Sequence, residues 1–146
     1  MSHDDPDASD LEKALRFAAN SRFARRLGAG EVWVAGALGG RLDQQLSNFQ
    51  LVARYAQALR LRLIDPTGAA EVISGRVAFQ ADKGETVSIF PVETSARVRS
   101  RGLKYPLKGA PLLSGSRGLS NIAVASKVTL QVLGRVWLVR SRLPWP

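Results

Sequence analysis

Gly36-Ala37-Leu38-Gly39-Gly40-Arg41-Leu42-Asp43-Gln44-Gln45-Leu46-Ser47-Asn48 joins an apolar run, Glu31-Val32-Trp33-Val34-Ala35, to a segment of helical periodicity marked by Leu46, Phe49, Gln50, Val52, Ala53 and Ala56. The order reads as strand, glycine-rich turn and helix. Glycines let the backbone turn tightly and leave its N–H groups uncovered. At a helix N-terminus those groups and the helix dipole point the same way, so such a turn attracts anions. Arg41 adds a phosphate-seeking cation and Asp43 a metal-seeking carboxylate. The bare pattern is also ordinary strand–helix architecture, so by itself it decides the local fold and not the chemistry.

On either side the same texture continues. Ser9 suits a helix N-cap with Glu12 three residues on, a capping box. The helix carries Leu11, Leu15, Ala18, Ala19 and Phe23 on one side, has Arg16, Arg22, Arg25 and Arg26 elsewhere, and is ended by Gly28 and Gly30. Asp7 and Asp10 then stand at and just before a helix start. Two such carboxylates could share a magnesium ion, or they simply favour the positive end of the helix. The helix after the glycine turn runs from about Asp43 to Leu59, and Leu61-Arg62-Leu63-Ile64-Asp65 is a second strand. Helix–strand–helix–strand predicts part of a parallel, Rossmann-like α/β domain with its ligand edge at the glycine turn. Asp65-Pro66-Thr67-Gly68 is a turn signal and the expected boundary, giving domains 1–66 and 67–146.

Beyond that turn the chain reads as short β-branched runs. They are 71–74, 77–79, 86–90, 96–102, 128–133 and 136–139, bounded by Gly, Pro or Asp/Lys clusters. This spacing predicts an antiparallel β-sandwich, with Leu133-Gly134-Arg135-Val136 as the last hairpin. The tail Leu143-Pro144-Trp145-Pro146 is expected to be loosely held.

The sequence has 146 residues, 45% of them hydrophobic, enough for one respectable core. It has no cysteine, which excludes disulfides, thiolate zinc and cysteine nucleophiles. No apolar run approaches the roughly 20 residues of a membrane span, and an acidic start is the wrong beginning for a secretory signal. A soluble, cytoplasmic protein is expected. Net charge is +9, but five of the twelve acids (Asp4, Asp5, Asp7, Asp10, Glu12) lie in the first twelve residues. The other 134 residues carry all 21 Lys and Arg against seven carboxylates, a surplus that draws polyanions.

The stretch at 36–51, GALGGRLDQQLSNFQL, resembles the GALGGRxDHxLAN segment of thiamine pyrophosphokinases. Three further blocks follow the same order: Asp7-Ala8-Ser9-Asp10-Leu11-Glu12-Lys13-Ala14-Leu15 is similar to KDxTDLEKAL, Gly102-Leu103-Lys104-Tyr105-Pro106-Leu107 to GLKYPL, and Gly118-Leu119-Ser120-Asn121 to GxSN. The resemblance covers most of the chain. It implies pyrophosphate transfer from ATP to the hydroxyl of thiamine, with magnesium, in a homodimer completed by the partner's sandwich. It assigns Asp7 and Asp10 to magnesium, Arg41 with Gly39 and Gly40 to the phosphates, and Asp43 to metal or substrate. Asp10, Arg41 and Asp43 are then the catalytic candidates, and Ser9 caps its helix and faces the site. Tyr105 would offer an aromatic face to the thiamine pyrimidine, and Ser120 and Asn121 would hydrogen-bond its edge. Tyr105 as a plain sheet tyrosine and Ser120-Asn121 as a plain turn are the alternatives.

Three departures from the family pattern stand out. Asp43-Gln44 replaces the family's DH pair, and the sole histidine is His3, so a role needing imidazolium is lost. Pro6 stands where lysine or glutamine is expected, and Ile122 where Glu is frequent. The DGGAN-like and GDxDS-like segments, which supply further metal-binding carboxylates, have no counterpart. From this follows the expectation of a crippled catalyst with exposed apolar sheet edge and helix faces. Two other classes are weighed: a non-catalytic thiamine-binding dimerisation module, and a basic nucleic-acid-binding protein using Arg97, Arg99, Arg101 and Lys104 as one stripe. The last is disfavoured because Tyr105 is the only aromatic residue near the stripe.

Overall fold

The computed structural model describes residues 7–20, 31–113 and 115–142. The sequence readings at Pro6, Phe23, Arg22, Arg25, Arg26, Gly28, Gly30 and the 143–146 tail lie outside these residues. The chain divides into two compact units, Met1–Leu63 and Ile64–Pro146.

In the first unit, helix α1 (Asp10–Asn20) precedes strand β1 (Val32–Ala35), helix α2 (Leu42–Tyr55) and strand β2 (Leu61–Asp65). β1 and β2 are neighbours, with the Val32 N–H donating to the Arg60 carbonyl at 2.8 Å. Each helix buries one aliphatic side chain completely or nearly so, Leu15 and Val52. Glu12 ties them together, accepting from Arg16 at 2.9 Å and ion-pairing with Arg54 at 3.7 Å. Helix α2 is shorter than the periodicity suggests. Its last turn closes at Ala56, and residues 56–58 form a turn in place of the expected run to Leu59. Phe17, Leu42 and Leu46 are exposed, so the apolar helix faces expected from the sequence are present. Leu46 is therefore not the core position its spacing suggests.

The unit boundary falls within β2, and the turn that follows is held by Asp65, whose Oδ1 accepts from the Thr67 N–H at 2.7 Å and from its hydroxyl at 2.6 Å. These bonds hold the Asp65 carboxyl below its ordinary range, the hydroxyl contributing most. The strands of the second unit are β3 (Gly68–Gln80), β4 (Thr86–Pro91), β5 (Arg97–Arg101), β6 (Lys108–Pro111), β7 (Asn121–Ile122) and β8 (Lys127–Arg140). Two pairs of runs that read as separate strands are thus single long strands, and the expected hairpin at 133–136 is a bend within β8. The reason lies in the pairing. β3 and β8 run antiparallel along their whole lengths, but the register slips between Ile73 and Gly75, where Leu133, Gly134 and Arg135 bulge opposite Ser74. Gly134 takes φ +81°, and Glu93 fastens the bulge from outside. Its carboxylate accepts from the Arg135 N–H at 3.0 Å and from Nε at 2.6 Å, which holds the carboxyl below its ordinary range. A bulge bends a strand without ending it.

The bend lets β8 serve two flanks. Its first half pairs with β5, and β5 with β6; its second half pairs with β4, and β4 with β7. The antiparallel pairing expected from the sequence is present, but hydrogen bonds run through one bent sheet and not two separate ones. Both flanks face one core, to which β5 gives Val98, β4 gives Val87 and Ile89, and β8 gives Leu130, Val136 and Leu138. Where β8 ends, Arg140 reaches Glu85 through Nε at 2.7 Å and Nη2 at 3.0 Å, and donates to the Gln80 carbonyl at 2.8 Å. Its guanidinium stacks 4.3 Å from the Phe79 ring centre. Glu85 is 3% exposed, so removing it strands a largely buried cation. Glu85→Ala is expected to lower stability by about 3 kcal/mol in urea unfolding, whereas Arg142→Ala at the exposed pair with Asp82 should cost under about 1 kcal/mol.

Candidate functional site

The glycine turn of the first unit is built by conformation. Gly36, Gly39 and Gly40 have φ of 70°, 91° and 77°, and nothing lies within 4 Å of where a Cβ would stand. Left-handed backbone, not crowding, is what calls for glycine here. The helix that follows holds the turn: Asn48 Nδ2 donates to the Ala37 carbonyl at 2.8 Å, and Gln45 Nε2 to that of Gly40 at 3.4 Å. Asn48 was given no role by sequence reasoning, although asparagine inside a helix is a residue type that prefers other work.

Arg41 is the N-cap of α2 but makes no side-chain cap. Its Nε and Nη2 instead donate to Asp43 Oδ1 and Oδ2 at 3.1 and 2.6 Å. The Gln44 N–H adds a bond to Oδ1 at 2.9 Å. The Arg41 guanidinium, and then the Gln44 amide, hold the Asp43 carboxyl below its ordinary range. Cation and carboxylate are thus each other's partners, 74% and 64% exposed. A phosphate can still reach the remaining Arg41 donors, whereas a metal at Asp43 competes with the guanidinium. Exposed pairs of this kind are weak enough for that.

Ser9 does cap α1, its Oγ accepting from the Glu12 N–H at 3.2 Å. The Glu12 carboxylate turns to the two arginines and so does not complete the box. Asp7 and Asp10 are both exposed at the start of α1. Among the described residues no group of three or more His, Cys, Asp or Glu comes together. Two carboxylates suit only a magnesium ion that keeps several waters and binds together with phosphates.

In the second unit, Tyr105 and Asn121 come together in a cleft of about 390 Å³ that Pro106, Leu107, Gly118 and Leu119 also line. Asn121 is 2% exposed and its carboxamide is a clamp. Oδ1 accepts from the Tyr105 N–H at 3.0 Å and the Ile122 N–H at 2.9 Å, while Nδ2 donates to the Tyr105 carbonyl at 2.7 Å. The edge that sequence reasoning assigned to a ligand is thus engaged with the backbone of the residue beside it. Asn121 holds Tyr105 in place. The Tyr105 ring itself is 60% exposed, with the Lys104 ammonium 5.5 Å from its centre.

Ser120 stands on the same loop in left-handed backbone, φ 52°, with its N–H donating to Ser88 Oγ at 2.9 Å. Gly118 is required sterically, because a Cβ there would lie 2.7 Å from the Ile89 carbonyl oxygen. Sequence reasoning missed Ser88, Arg117 and Lys108. The last two also line the cleft, and nothing in their spacing marks them.

Residues 76–135 match the family model described as "Thiamin pyrophosphokinase, vitamin B1 binding domain", and that span contains the whole cleft. The chain is 25% identical over 134 residues to Thiamine pyrophosphokinase 1 of Arabidopsis thaliana, covering 87% of this chain and 50% of that protein. The thiamine pyrophosphokinase of Bacillus subtilis superposes with a TM-score of 0.79 at 26% identity, over 92% of this chain and 63% of that one. That of Geobacillus thermodenitrificans gives a TM-score of 0.75 at 27% identity, over 93% and 62%. The chain thus carries a thiamin pyrophosphokinase vitamin B1 binding domain match over residues 76–135, and is similar to thiamine pyrophosphokinases over most of its length. It spans about half the length of the curated relatives it matches.

The geometry makes two expectations specific. Asn121→Ala strands the Tyr105 and Ile122 amides. It should cost about 2–3 kcal/mol and speed hydrogen exchange at Tyr105 ahead of the core strands. Arg41→Ala should raise the Asp43 titration midpoint, followed by NMR, towards the ordinary value of 3.8. With the folded-state value lowered, the pair contributes above the ordinary range and is lost as pH falls through the lowered value. Because both side chains are exposed, global stability should hardly change.

Proposed function

We propose that this chain serves pyrophosphate transfer from ATP to the hydroxyl of thiamine, giving thiamine diphosphate and AMP, with the unit from Ile64 onward holding thiamine. The observation that carries this reading is the coincidence of the vitamin B1 binding match with a cleft walled by Tyr105 and shaped by Asn121 and Gly118. Tyr105 offers its exposed aromatic face to the pyrimidine ring. Asn121 fixes the height of that face, and Ser120 supplies a hydroxyl at the rim. The thiamine oxygen forms its new bond to the β-phosphorus as the bridge to the α-phosphate breaks and AMP leaves. Such a transfer asks the protein mainly for positioning and neutralised charge.

Arg41, the N–H groups of Gly39 and Gly40, and the capped α1 terminus at Ser9 face the phosphates on this reading. Asp7 and Asp10 hold magnesium, which supplies charge neutralisation when bound with ATP. Asp43 joins them only after leaving Arg41. Gln44, standing where relatives have histidine, donates and accepts hydrogen bonds without carrying charge. The protein works in the cytoplasm as a homodimer joined through its β-sheet unit, with the partner completing the site.

A second reading, a thiamine-binding module without turnover, is favoured by one observation. The Asp43 carboxylate is engaged by Arg41, and among the described residues no three-carboxylate cluster forms. Under either reading, calorimetric titration should show saturable thiamine binding, weakened at least about tenfold by Tyr105→Ala with an unchanged melting temperature. Absence of binding by the folded protein would overturn both. Magnesium-dependent AMP release separates the two readings, and background release by a folded, thiamine-binding chain would favour the second. Turnover at the roughly 1–100 s⁻¹ usual for kinases would overturn the second reading in favour of full catalysis.

A further inference from the structure

The outer face of the sheet formed by β3, β8, β5 and β6 collects cations from all four strands. The register sets Arg99 opposite Gln131 and Gln131 opposite Arg76, placing the two arginines in one cross-strand row. Arg101 opposes Thr129, Lys108 opposes Arg99, and Lys127 opposes Gln80, all on the same side. On β5 the alternation is strict, with Arg97, Arg99 and Arg101 exposed and Val98 and Ser100 buried. Arg76, Arg99, Arg101, Lys108 and Lys127 line a cleft of about 730 Å³ in which no carboxylate takes part.

Among the described residues none of these five cations is in an ion pair, whereas Arg16, Arg41, Arg54, Arg62, Arg135, Arg140 and Arg142 each reach an Asp or Glu. Five like charges left together on one face cost stability unless something anionic compensates them. Lys104, which the sequence grouped with this stripe, lies past the end of β5 over the Tyr105 ring.

We propose that this face, which borders the Tyr105 cleft at residues 106–108, is a second binding site, for the phosphodiester chain of a single-stranded nucleic acid. Cations two residues apart on a strand stand about 6.7 Å apart, close to the spacing of consecutive phosphates in an extended strand. Three of the five are arginines, whose planar forks suit phosphate and stack on bases. Between them the cleft is lined by Ala78, Thr129 and Gln131, with Pro106, Leu107 and Leu130 at its walls, and holds none of the aromatic residues that commonly anchor a protein partner. Phosphate contacts alone are enough for sequence-independent nucleic-acid binding. A second copy of the chain apposed through this face would set five cations against five. The face is therefore unsuited to self-association.

The test is fluorescence anisotropy of a labelled oligothymidylate of about 20 nucleotides, long enough to span such a site, across about 50 to 200 mM salt. The logarithm of affinity is expected to fall with that of salt at a slope of about −3.5, about 0.7 for each of five neutralised phosphates. Arg99→Glu/Arg101→Glu and, on the other strands, Arg76→Glu/Lys127→Glu should each weaken binding at least about tenfold and flatten the slope by about 1.4. Lys83→Glu, a charge reversal at an exposed turn off this face, should change affinity by less than about twofold. Circular dichroism melting of each variant establishes that it is folded, and the two pairs on separate strands guard against misfolding of either. Flat salt dependence, or equal loss in Lys83→Glu, would overturn the proposal. So would a polyglutamate competitor as effective as unlabelled oligonucleotide, which would assign the face to an acidic protein. A change of molecular mass in the paired variants would assign it to self-association.

Discussion

Strand β8 is the element on which the larger unit depends. It pairs with β3 along its length, with β5 through its first half and with β4 through its second. One strand can border both flanks only if it bends, and bending costs ladder hydrogen bonds. The bulge at Leu133–Arg135 confines that loss to a single place. Gly134 supplies the left-handed turn, and the Glu93 carboxylate satisfies the Arg135 N–H that the slipped register releases. Buried polar groups left unpaired are more costly than the net gain of an ordinary hydrogen bond. The bend is therefore stable because its freed donor has found an acceptor.

Position in the Tyr105 cleft follows from the same economy of polar groups. The loops that meet there are irregular, so their backbone groups have no ladder to join. Asn121 answers for three of them at once from a site only 2% exposed. Gly118 allows its loop to approach the Ile89 carbonyl closely, and Ser88 takes the Ser120 amide. An exposed ring on a rigidly held backbone is a preorganised contact surface, because little freedom remains to be lost on binding. The Arg41–Asp43 pair has the opposite character. It is solvent-exposed and readily exchanged for another ion. The first unit thus offers replaceable charges, and the second a fixed shape.

The sequence disclosed elements better than connections. The strand–turn–helix at 32–55 was legible because a short continuous apolar run gives way to a 3.6-residue apolar period across a glycine cluster. Ser9 was legible as a cap because capping depends on neighbours in sequence. The bend in β8 was not, since Leu-Gly-Arg between two apolar runs has the composition of a hairpin. Only the partner strand, sixty residues away, decides that it is a bulge. Asn121 was legible only in part, for a related reason. Its motif marked an important position, but whether a carboxamide faces a ligand or its own backbone depends on the fold of the 103–107 loop. Leu46 shows a third limit. Helical spacing selects a face, and what that face meets is not written in the helix.

Charge placement joins the two units to the composition with which the chain began. An arginine-rich chain with a surplus of cations is open to a bland explanation, in which the residues are distributed without regard to neighbours. The structure separates two populations. Seven arginines are matched to six carboxylates, Glu12 serving two, and several of these pairs fasten particular features: α1 to α2, the bulge in β8, and the end of β8 to the turn before β4. The cations on the β3–β8–β5–β6 face have no such partners and stand in register on four strands. Random placement would scatter carboxylates among them, and self-repulsion would favour it. Their segregation from every described acid is therefore a property of the surface and not of the composition. It makes that face an anion-seeking element in its own right.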